Sequence, residues 1–323
     1  MARKQQKIEY VTKFDLCDRA HFDIIKGISV TLWLASLICV NYLDMAWTKP
    51  FGNISLALCL LCSGYGVSQS FIRKGGLVHY WENKMIKIWL PSVVTVILFS
   101  YIIYGDAVVW IEKNPLAFAG KQLYIFFAEY LIFWAIYTYI SSEYGGLICL
   151  FATSAIAFAV VQDKAYAPYF FCFPVGVLFS QLSLRSKARS LTVPKRLLLC
   201  GTLLVLAVAG IFLQRFCTGY IANAIGAVLY TSAAALIIFG SYYLKIIPIF
   251  GIFVPAGNIA YCLYLIAPYM LYLLRNWMTG YKILAVVFVI AVIAAVLSWL
   301  RELLIMYNRK LRQSKNTRLK GMM

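Results

Sequence analysis

A few ionisable side chains interrupt the long apolar stretches of this chain, and they are the first candidates for chemistry. Asp23 and Lys26 stand three residues apart at the start of one stretch, and Glu129 lies inside another. Arg301 and Glu302 are adjacent in the last stretch. A charged group in a membrane interior is costly unless it is paired or wet, so such residues mark candidate functional sites.

The spacing of Asp23 and Lys26 puts both on one face of a helix, close enough to form an ion pair. The alternative is an aspartate favoured by the helix dipole and a lysine that extends to the interface. Glu129 needs a partner or water, and otherwise stays protonated. We treat Asp23 and Glu129 as candidate catalytic groups. We expect Lys26, Arg301 and Glu302 to be polar side chains inside the helical bundle.

Lys84 and Lys87 are one helical turn apart, and Arg73, Lys74 and His79 are near them in sequence. At the start of a helix, such a cluster can hold phosphate groups, because the helix dipole and the cations act together on the anion. We therefore take Lys84, Lys87, Arg73 and His79 as candidate cofactor-binding residues. The alternative is that these basic residues only set the orientation of the chain in the membrane.

Two glycines within three positions interrupt another apolar stretch, in the run Ser63-Gly64-Tyr65-Gly66. Glycine loosens a helix and lets a ligand or another backbone approach closely. Ser63 and Tyr65 are accordingly further candidates for cofactor binding, with plain helix packing as the alternative.

The composition places these residues in a membrane protein. The chain has 323 residues, of which 63% are hydrophobic and 13% are charged, whereas soluble domains average about 25% charged. A spanning helix needs roughly 20 apolar residues. We predict an all-α transmembrane bundle of about ten helices. They cover residues 24–43, 53–72, 85–104, 123–140, 147–161, 169–184, 197–213, 222–244, 258–274 and 283–306. The fifth and sixth are short, which leaves a count of about eight or nine open.

The basic residues alternate between the two sides that this count defines. One side collects most lysines and arginines, including the loops near Arg73 and Arg185. The positive-inside rule therefore predicts both termini in the cytoplasm. We expect one integral membrane domain over 1–323. Residues 1–22 would be a cytoplasmic segment and 307–323 a basic cytoplasmic tail, either a surface helix or disordered.

The net charge of +18 fits lysines and arginines that face anionic lipids of the bilayer. No basic run alternates with exposed aromatic residues, so we expect no nucleic-acid partner. Cys59 and Cys62 have CxxC spacing, but no second ligand pair is near. We expect them to be small packing residues, with no bound metal.

Five segments, in their order along the chain, are similar to motifs of the membrane acyltransferase-3 family, which O-acetylates bacterial surface sugars. They are Asp-x-x-Lys at 23–26, Ser-Gly-Tyr at 63–65, Lys-x-x-Lys before a proline at 84–91, Phe-Pro-x-Gly at 173–176 and Gly-Asn-Ile-Ala-Tyr-x-x-Tyr-Leu at 257–265. The resemblance implies a multi-pass protein of the bacterial cytoplasmic membrane. It also implies transfer of an acetyl or other acyl group from cytoplasmic acyl-CoA, a co-substrate, to a hydroxyl of a surface glycan or lipid-linked sugar.

The sequence departs from that family where proton transfer is expected. The family carries a histidine deep in the first helix, where this chain has Leu37, and often a second one where it has Ala267. Lys84 and Lys87 replace two arginines, so the charge remains but a bidentate grip on phosphate is lost. His21 cannot substitute, because it lies sixteen residues before Leu37, about 24 Å along a helix.

Three functions stay open from the sequence. The first is an active acyltransferase in which Glu129 or Glu302 acts as the base, since loss of a positioned base costs roughly 10²–10⁴-fold in rate. The second is a catalytically inactive member that acts as a binding or partner subunit in glycan assembly or export. The third is a transporter or flippase, which Glu129, Arg301 and Glu302 would allow.

Overall fold

The protein is described by a computed structural model that covers residues 19–74, 77, 80–104, 116–140, 142–161, 166–185, 193–244, 251–278 and 280–320. Within these ranges the regular structure is helical, which confirms the predicted all-α class. The helices are α1 (Arg19–Tyr42), α2 (Lys49–Lys74), α3 (Tyr80–Lys84), α4 (Leu90–Tyr104), α5 (Leu116–Tyr139), α6 (Glu143–Val160), α7 (Cys172–Arg185), α8 (Val193–Gln214), α9 (Gly219–Leu244), α10 (Phe253–Leu273) and α11 (Lys282–Lys320). A π-helical turn, Met85–Trp89, joins α3 to α4.

Seven of these helical segments are long and apolar enough to cross a membrane within the described ranges. They are His21–Tyr42, Ala46–Arg73, Tyr80–Ile103, Leu197–Gln214, Gly219–Ser241, Phe253–Leu273 and Lys282–Asn308. The predicted fifth and sixth spans correspond to α6 and α7, whose apolar parts are shorter, Tyr144–Val160 and Ala167–Leu182. The count of ten spans and the cytoplasmic placement of both termini remain predictions.

Local chemistry explains where several helices begin and end. The side chain of Ser142 accepts a hydrogen bond from the Gly145 N–H and so caps the start of α6. Gly219 and Gly280 have φ angles of +61° and +53° at the breaks before α9 and α11. Other residue types adopt this left-handed conformation only at a cost, so both breaks depend on glycine.

The last helix differs from the sequence-based expectation. We expected the basic tail after residue 306 to be separate from the last span, but α11 continues unbroken to Lys320. Residues 308–320 contain neither proline nor glycine, and most have straight side chains that favour helix. With 39 residues, α11 is about 58 Å long, which exceeds the 40–45 Å of a bilayer with its headgroups.

The chain forms two compact units. Unit 1 contains residues 1–77 and 121–258, and unit 2 contains residues 78–120 and 259–323. In unit 1, α5 and α7 run in the same direction, as two successive contacts show. Phe133 of α5 packs on Phe173 of α7, and further along both helices Gln181 donates a hydrogen bond to the hydroxyl of Tyr137. Alternating passes across a membrane would give this arrangement, since α6 lies between the two helices in sequence.

Helix α2 shares that direction. Its Ser63 is hydrogen-bonded to Tyr130 of α5, and its Phe71 packs against Tyr137 with ring centroids 5.1 Å apart. The later residue of α2 thus contacts the later residue of α5, so the two helices are parallel. The buried core of unit 1 includes side chains of α2, α7 and α9, among them Leu56, Leu61 and Leu229.

Candidate functional site

The charged pair at the start of α1 has the predicted geometry. Lys26 Nζ lies 3.2 Å from Asp23 Oδ1, and the lysine side chain is 44% exposed while that of the aspartate is 16% exposed. The aspartate is thus held below the surface and the lysine reaches outward. An ion pair this exposed contributes little to stability, so its geometry leaves both a structural and a binding role open.

Two glycines fix how α1 approaches the start of α10 in unit 1. A methyl group on Gly27 would overlap the backbone carbonyl of Phe253, and one on Gly257 would overlap the carbonyl of Asp23. Each glycine therefore makes room for the backbone of the other helix, as small residues do at close contacts between membrane helices. Through this contact the first and fifth motif segments lie together.

The second and fourth motif segments meet in the same way. A methyl group on Gly64 of α2 would overlap the carbonyl of Phe173 in α7, and one on Gly176 would overlap the carbonyl of Leu61. Gly66 has nothing within 4 Å of such a group. One glycine of the Ser63–Gly66 run thus serves close helix packing, which was the alternative to ligand binding.

Ser63 and Tyr65 are also engaged inside unit 1. Ser63 is hydrogen-bonded to Tyr130, and the buried ring of Tyr65 lies 4.9 Å from that of Phe22, centroid to centroid. The geometry gives both residues a packing role. Their assignment to a cofactor site stays a prediction.

Lys84 and Lys87 do not lie at the start of a helix, contrary to expectation. The helix begins at Tyr80, Lys84 ends α3, and Lys87 is in the π-helical turn Met85–Trp89. The N-terminal dipole acts within the first turn, so it adds little at Lys87. Lys84 Nζ lies 5.7 Å from the centroid of the Tyr80 ring, a cation–π distance.

The π-helical turn has a local cause. Pro91 has no N–H to donate to the carbonyl of Lys87, and its ring would collide with that carbonyl in a regular α-helix. The chain widens instead, and the N–H of Leu90 donates to the carbonyl of Met85, five residues earlier. Such widened turns are rare and occur frequently at functional sites. Pro91 was the sequence signal that could have revealed it.

A polar contact in unit 2 stabilises this turn, and the sequence did not reveal it. The Ile88 carbonyl oxygen accepts hydrogen bonds from Tyr261 Oη at 2.6 Å and from Ser92 Oγ at 2.7 Å. The two hydroxyl oxygens are 2.5 Å apart. Tyr261 belongs to α10, so this contact joins the third motif segment to the fifth.

Arg301 of α11 lies on the other side of Tyr261. Its guanidinium carbon is 6.0 Å from the centroid of the tyrosine ring, and Nη2 is 3.3 Å from Oε1 of Glu302. The arginine side chain is mostly buried and that of Glu302 is more than half exposed. Within unit 2 the side chain of Arg301 is therefore largely enclosed, whereas that of Glu302 faces outward, and a place for either inside the bundle stays a prediction.

Glu129 is the most deeply buried carboxyl group among the described residues, with 2% of its surface exposed. Its Oε2 has no hydrogen-bond partner in the described part of the chain. It lies near the thiol of Cys172, which is 3.3 Å from Thr231 Oγ1. The structure thus places a carboxyl group in the core of unit 1 with spare hydrogen-bonding capacity, which a proton, water or ligand hydroxyl can use.

The remaining candidates are separate from these clusters. Arg73 is exposed near the end of α2, and His79 lies outside the described residues. His21 is fully buried, with Nε2 3.4 Å from Ser241 Oγ. Ser36, beside Leu37, donates to the Thr48 carbonyl, so it does not replace the absent histidine as a base.

No group of three potential metal ligands occurs in the parts of the chain that the structure covers.

Comparison with protein-family models finds no match, and comparisons with characterised proteins and with solved structures also find none.

Proposed function

We propose that this chain is an acyltransferase-like membrane protein of about ten spans, with both termini in the cytoplasm of a bacterial cell. It would bind acyl-CoA, foremost acetyl-CoA, at the cytoplasmic face. It would transfer the acyl group to a hydroxyl of a cell-surface glycan or a lipid-linked sugar. The similarity of its five motif segments to the acyltransferase-3 family supplies this proposal.

One structural observation carries the proposal: each of the five motif segments contacts another one that is far from it in sequence. Gly27 and Gly257 join the first to the fifth, and Gly64 and Gly176 join the second to the fourth. Tyr261 joins the fifth to the third. Contacts between the segments support the proposal that they act together.

The charges support a phosphate-bearing donor. Lys87 lies in the widened turn of unit 2 and Lys84 directly before it, and Arg301 is next to the tyrosine that bonds to that turn. Lysine binds phosphate as a point charge, so two lysines can hold a pyrophosphate without the bidentate geometry of arginine. Acyl-CoA carries such a pyrophosphate, and it is the acyl donor that the resemblance implies.

Acyl transfer also needs a group that removes the proton of the acceptor hydroxyl. Glu129 is our candidate, because it is a buried carboxyl with an unbonded oxygen in the described part of unit 1. A positioned base contributes about 10²–10⁴-fold to the rate. Asp23 is the second candidate, although its Oδ1 already pairs with Lys26.

A second function is favoured by the apolar residues at both histidine positions of the family. Leu37 is half-buried and Ala267 is fully buried. Neither side chain has a group that can accept a proton, so neither position offers a base. A protein that binds acyl-CoA without turnover, as a partner subunit in glycan assembly or export, would have no need of one.

The test is acyl-CoA binding to the purified protein in lipid nanodiscs, by calorimetry, followed by CoA release in the presence of sugar acceptors. Binding with CoA release supports the enzyme. Binding without release, over a range of acceptors, favours the partner subunit. No saturable binding at millimolar acyl-CoA contradicts both and leaves transport as the function to test.

A further inference from the structure

The π-helical turn of unit 2 is stabilised by a hydrogen bond from a neighbouring helix, and this contact also bears on how the turn presents its charged side chains. The turn exists because Pro91 cannot complete an α-helix, and a carbonyl within it can accept hydrogen bonds from other donors. The Ile88 carbonyl finds two, the hydroxyls of Tyr261 and Ser92. Ser92 belongs to the same helical segment, so Tyr261 is the tie to a neighbouring helix.

We infer that Tyr261 is a positioning residue: its hydroxyl fixes the widened turn that contains Lys87 and directly follows Lys84, and so sets how the two ammonium groups meet a diphosphate. This inference rests on the proposed function for the identity of the ligand, acyl-CoA. The effect of Tyr261 is separate from the charge of the two lysines, because a tyrosine adds no charge to the site.

The geometry of the turn matters because lysine recognises an anion by distance. In a regular α-helix, residues three apart are separated by about 300° around the axis, close to one face. An extra residue in the turn changes that angle, and the structure has Lys84 partly buried and Lys87 exposed. The attraction between charges falls with separation, so the turn decides whether one diphosphate can contact both ammonium groups.

The hydroxyl of Tyr261 can be removed while the contact between its ring and Arg301 is kept. The guanidinium of Arg301 lies over the ring at 6.0 Å, and a phenylalanine would keep that contact. Tyr261→Phe therefore removes the hydrogen bond to the Ile88 carbonyl and the contact with the Ser92 hydroxyl, and keeps the ring. Tyr272→Phe is the matched control, because it removes a hydroxyl from the same helix and leaves the ring that lies 5.2 Å from Arg275.

The experiment measures three dissociation constants in nanodiscs for wild type, Tyr261→Phe, Ser92→Ala and Tyr272→Phe. The probes are CoA, inorganic pyrophosphate and pantetheine, which is the arm of CoA without the diphosphate, and the unfolding temperature of each variant is recorded. We expect Tyr261→Phe to weaken CoA and pyrophosphate binding about three- to tenfold, as loss of one hydrogen bond to the turn would. We also expect it to leave pantetheine binding unchanged and so to change the affinity ratio of CoA to pantetheine, which a partly unfolded sample would leave constant. Tyr272→Phe should match wild type.

The outcomes separate this inference from the proposed function. If wild type binds pyrophosphate but not CoA, and Tyr261→Phe weakens that binding, the proposed function fails and the inference stands. If Tyr261→Phe binds both ligands as wild type does, with the same ratio, the inference is overturned while the function stands. Should wild type bind neither ligand, both are rejected. A fall in unfolding temperature with an unchanged affinity ratio would make Tyr261 merely structural and also overturn the inference.

Discussion

Gly64 of α2 lies directly against the backbone carbonyl of Phe173 in α7, and the structure leaves no room between them for a methyl group. The contact is reciprocal, since Gly176 of α7 lies against the carbonyl of Leu61 in the same manner. Glycine at these positions lets the two helices approach to backbone contact, where van der Waals packing is strongest.

This contact predicts a difference between two glycines of one helix. Gly64→Ala should destabilise the protein by about 1–3 kcal/mol, because the added methyl group forces α2 and α7 apart. Gly66→Ala is the control, since nothing lies within 4 Å of its added methyl group. There we expect no loss of stability, and a gain of up to about 1 kcal/mol from helix propensity. The unfolding midpoint in detergent measures both, and equal midpoints would contradict the packing role.

The two lysines of the widened turn are expected to carry acyl-CoA affinity. Replacing Lys84 and Lys87 together by alanine should weaken acyl-CoA binding at least about tenfold, because two charge-assisted contacts to phosphate are lost. Wild-type affinity should also fall as salt is added, since exposed charges are screened. Lys282→Ala removes an exposed lysine from the start of α11 and serves as the control. Calorimetry in nanodiscs gives the affinities, and an unchanged value in the double variant would reject the site.

Glu129 gives a prediction about rate rather than affinity. Glu129→Gln keeps the volume of the side chain but cannot take up a proton, so CoA release to an acceptor should slow about 10²-fold or more. Acyl-CoA affinity should not change, because a base acts on the proton of the acceptor and not on the phosphates of the donor. Glu302→Gln is the control, as that carboxylate is largely exposed. A normal rate in Glu129→Gln would exclude it as the base.

The membrane orientation can be tested with two exposed side chains of α11 and the turn before it. In a variant without its native cysteines, Lys310→Cys should react with a membrane-impermeant maleimide only after the cells are opened. Tyr281→Cys should react in intact cells, because an odd number of crossings separates the two positions. Both residues are exposed in the structure, so burial does not explain a difference. Reaction of Lys310→Cys in intact cells would contradict a cytoplasmic C-terminus.

The sequence by itself determined the class of the protein and most of its helices. A chain that is 63% hydrophobic, in stretches near the thickness of a bilayer, must satisfy its backbone hydrogen bonds within each segment, and only a helix does so. The spacing of Asp23 and Lys26 also sufficed to predict their contact, because a helix alone brings such neighbours together.

Contacts between distant helices came only from the tertiary structure. Nothing near Tyr261 in sequence indicates that its hydroxyl bonds to the Ile88 carbonyl, 173 positions away. The widened turn was predictable from Pro91, but the helix that supplies this donor was not. Lipid is as apolar as the side chains that face it, so hydrophobicity does not choose the partner of a membrane helix. Shape makes that choice, through glycines that admit a neighbouring backbone and hydroxyls that meet its exposed carbonyls.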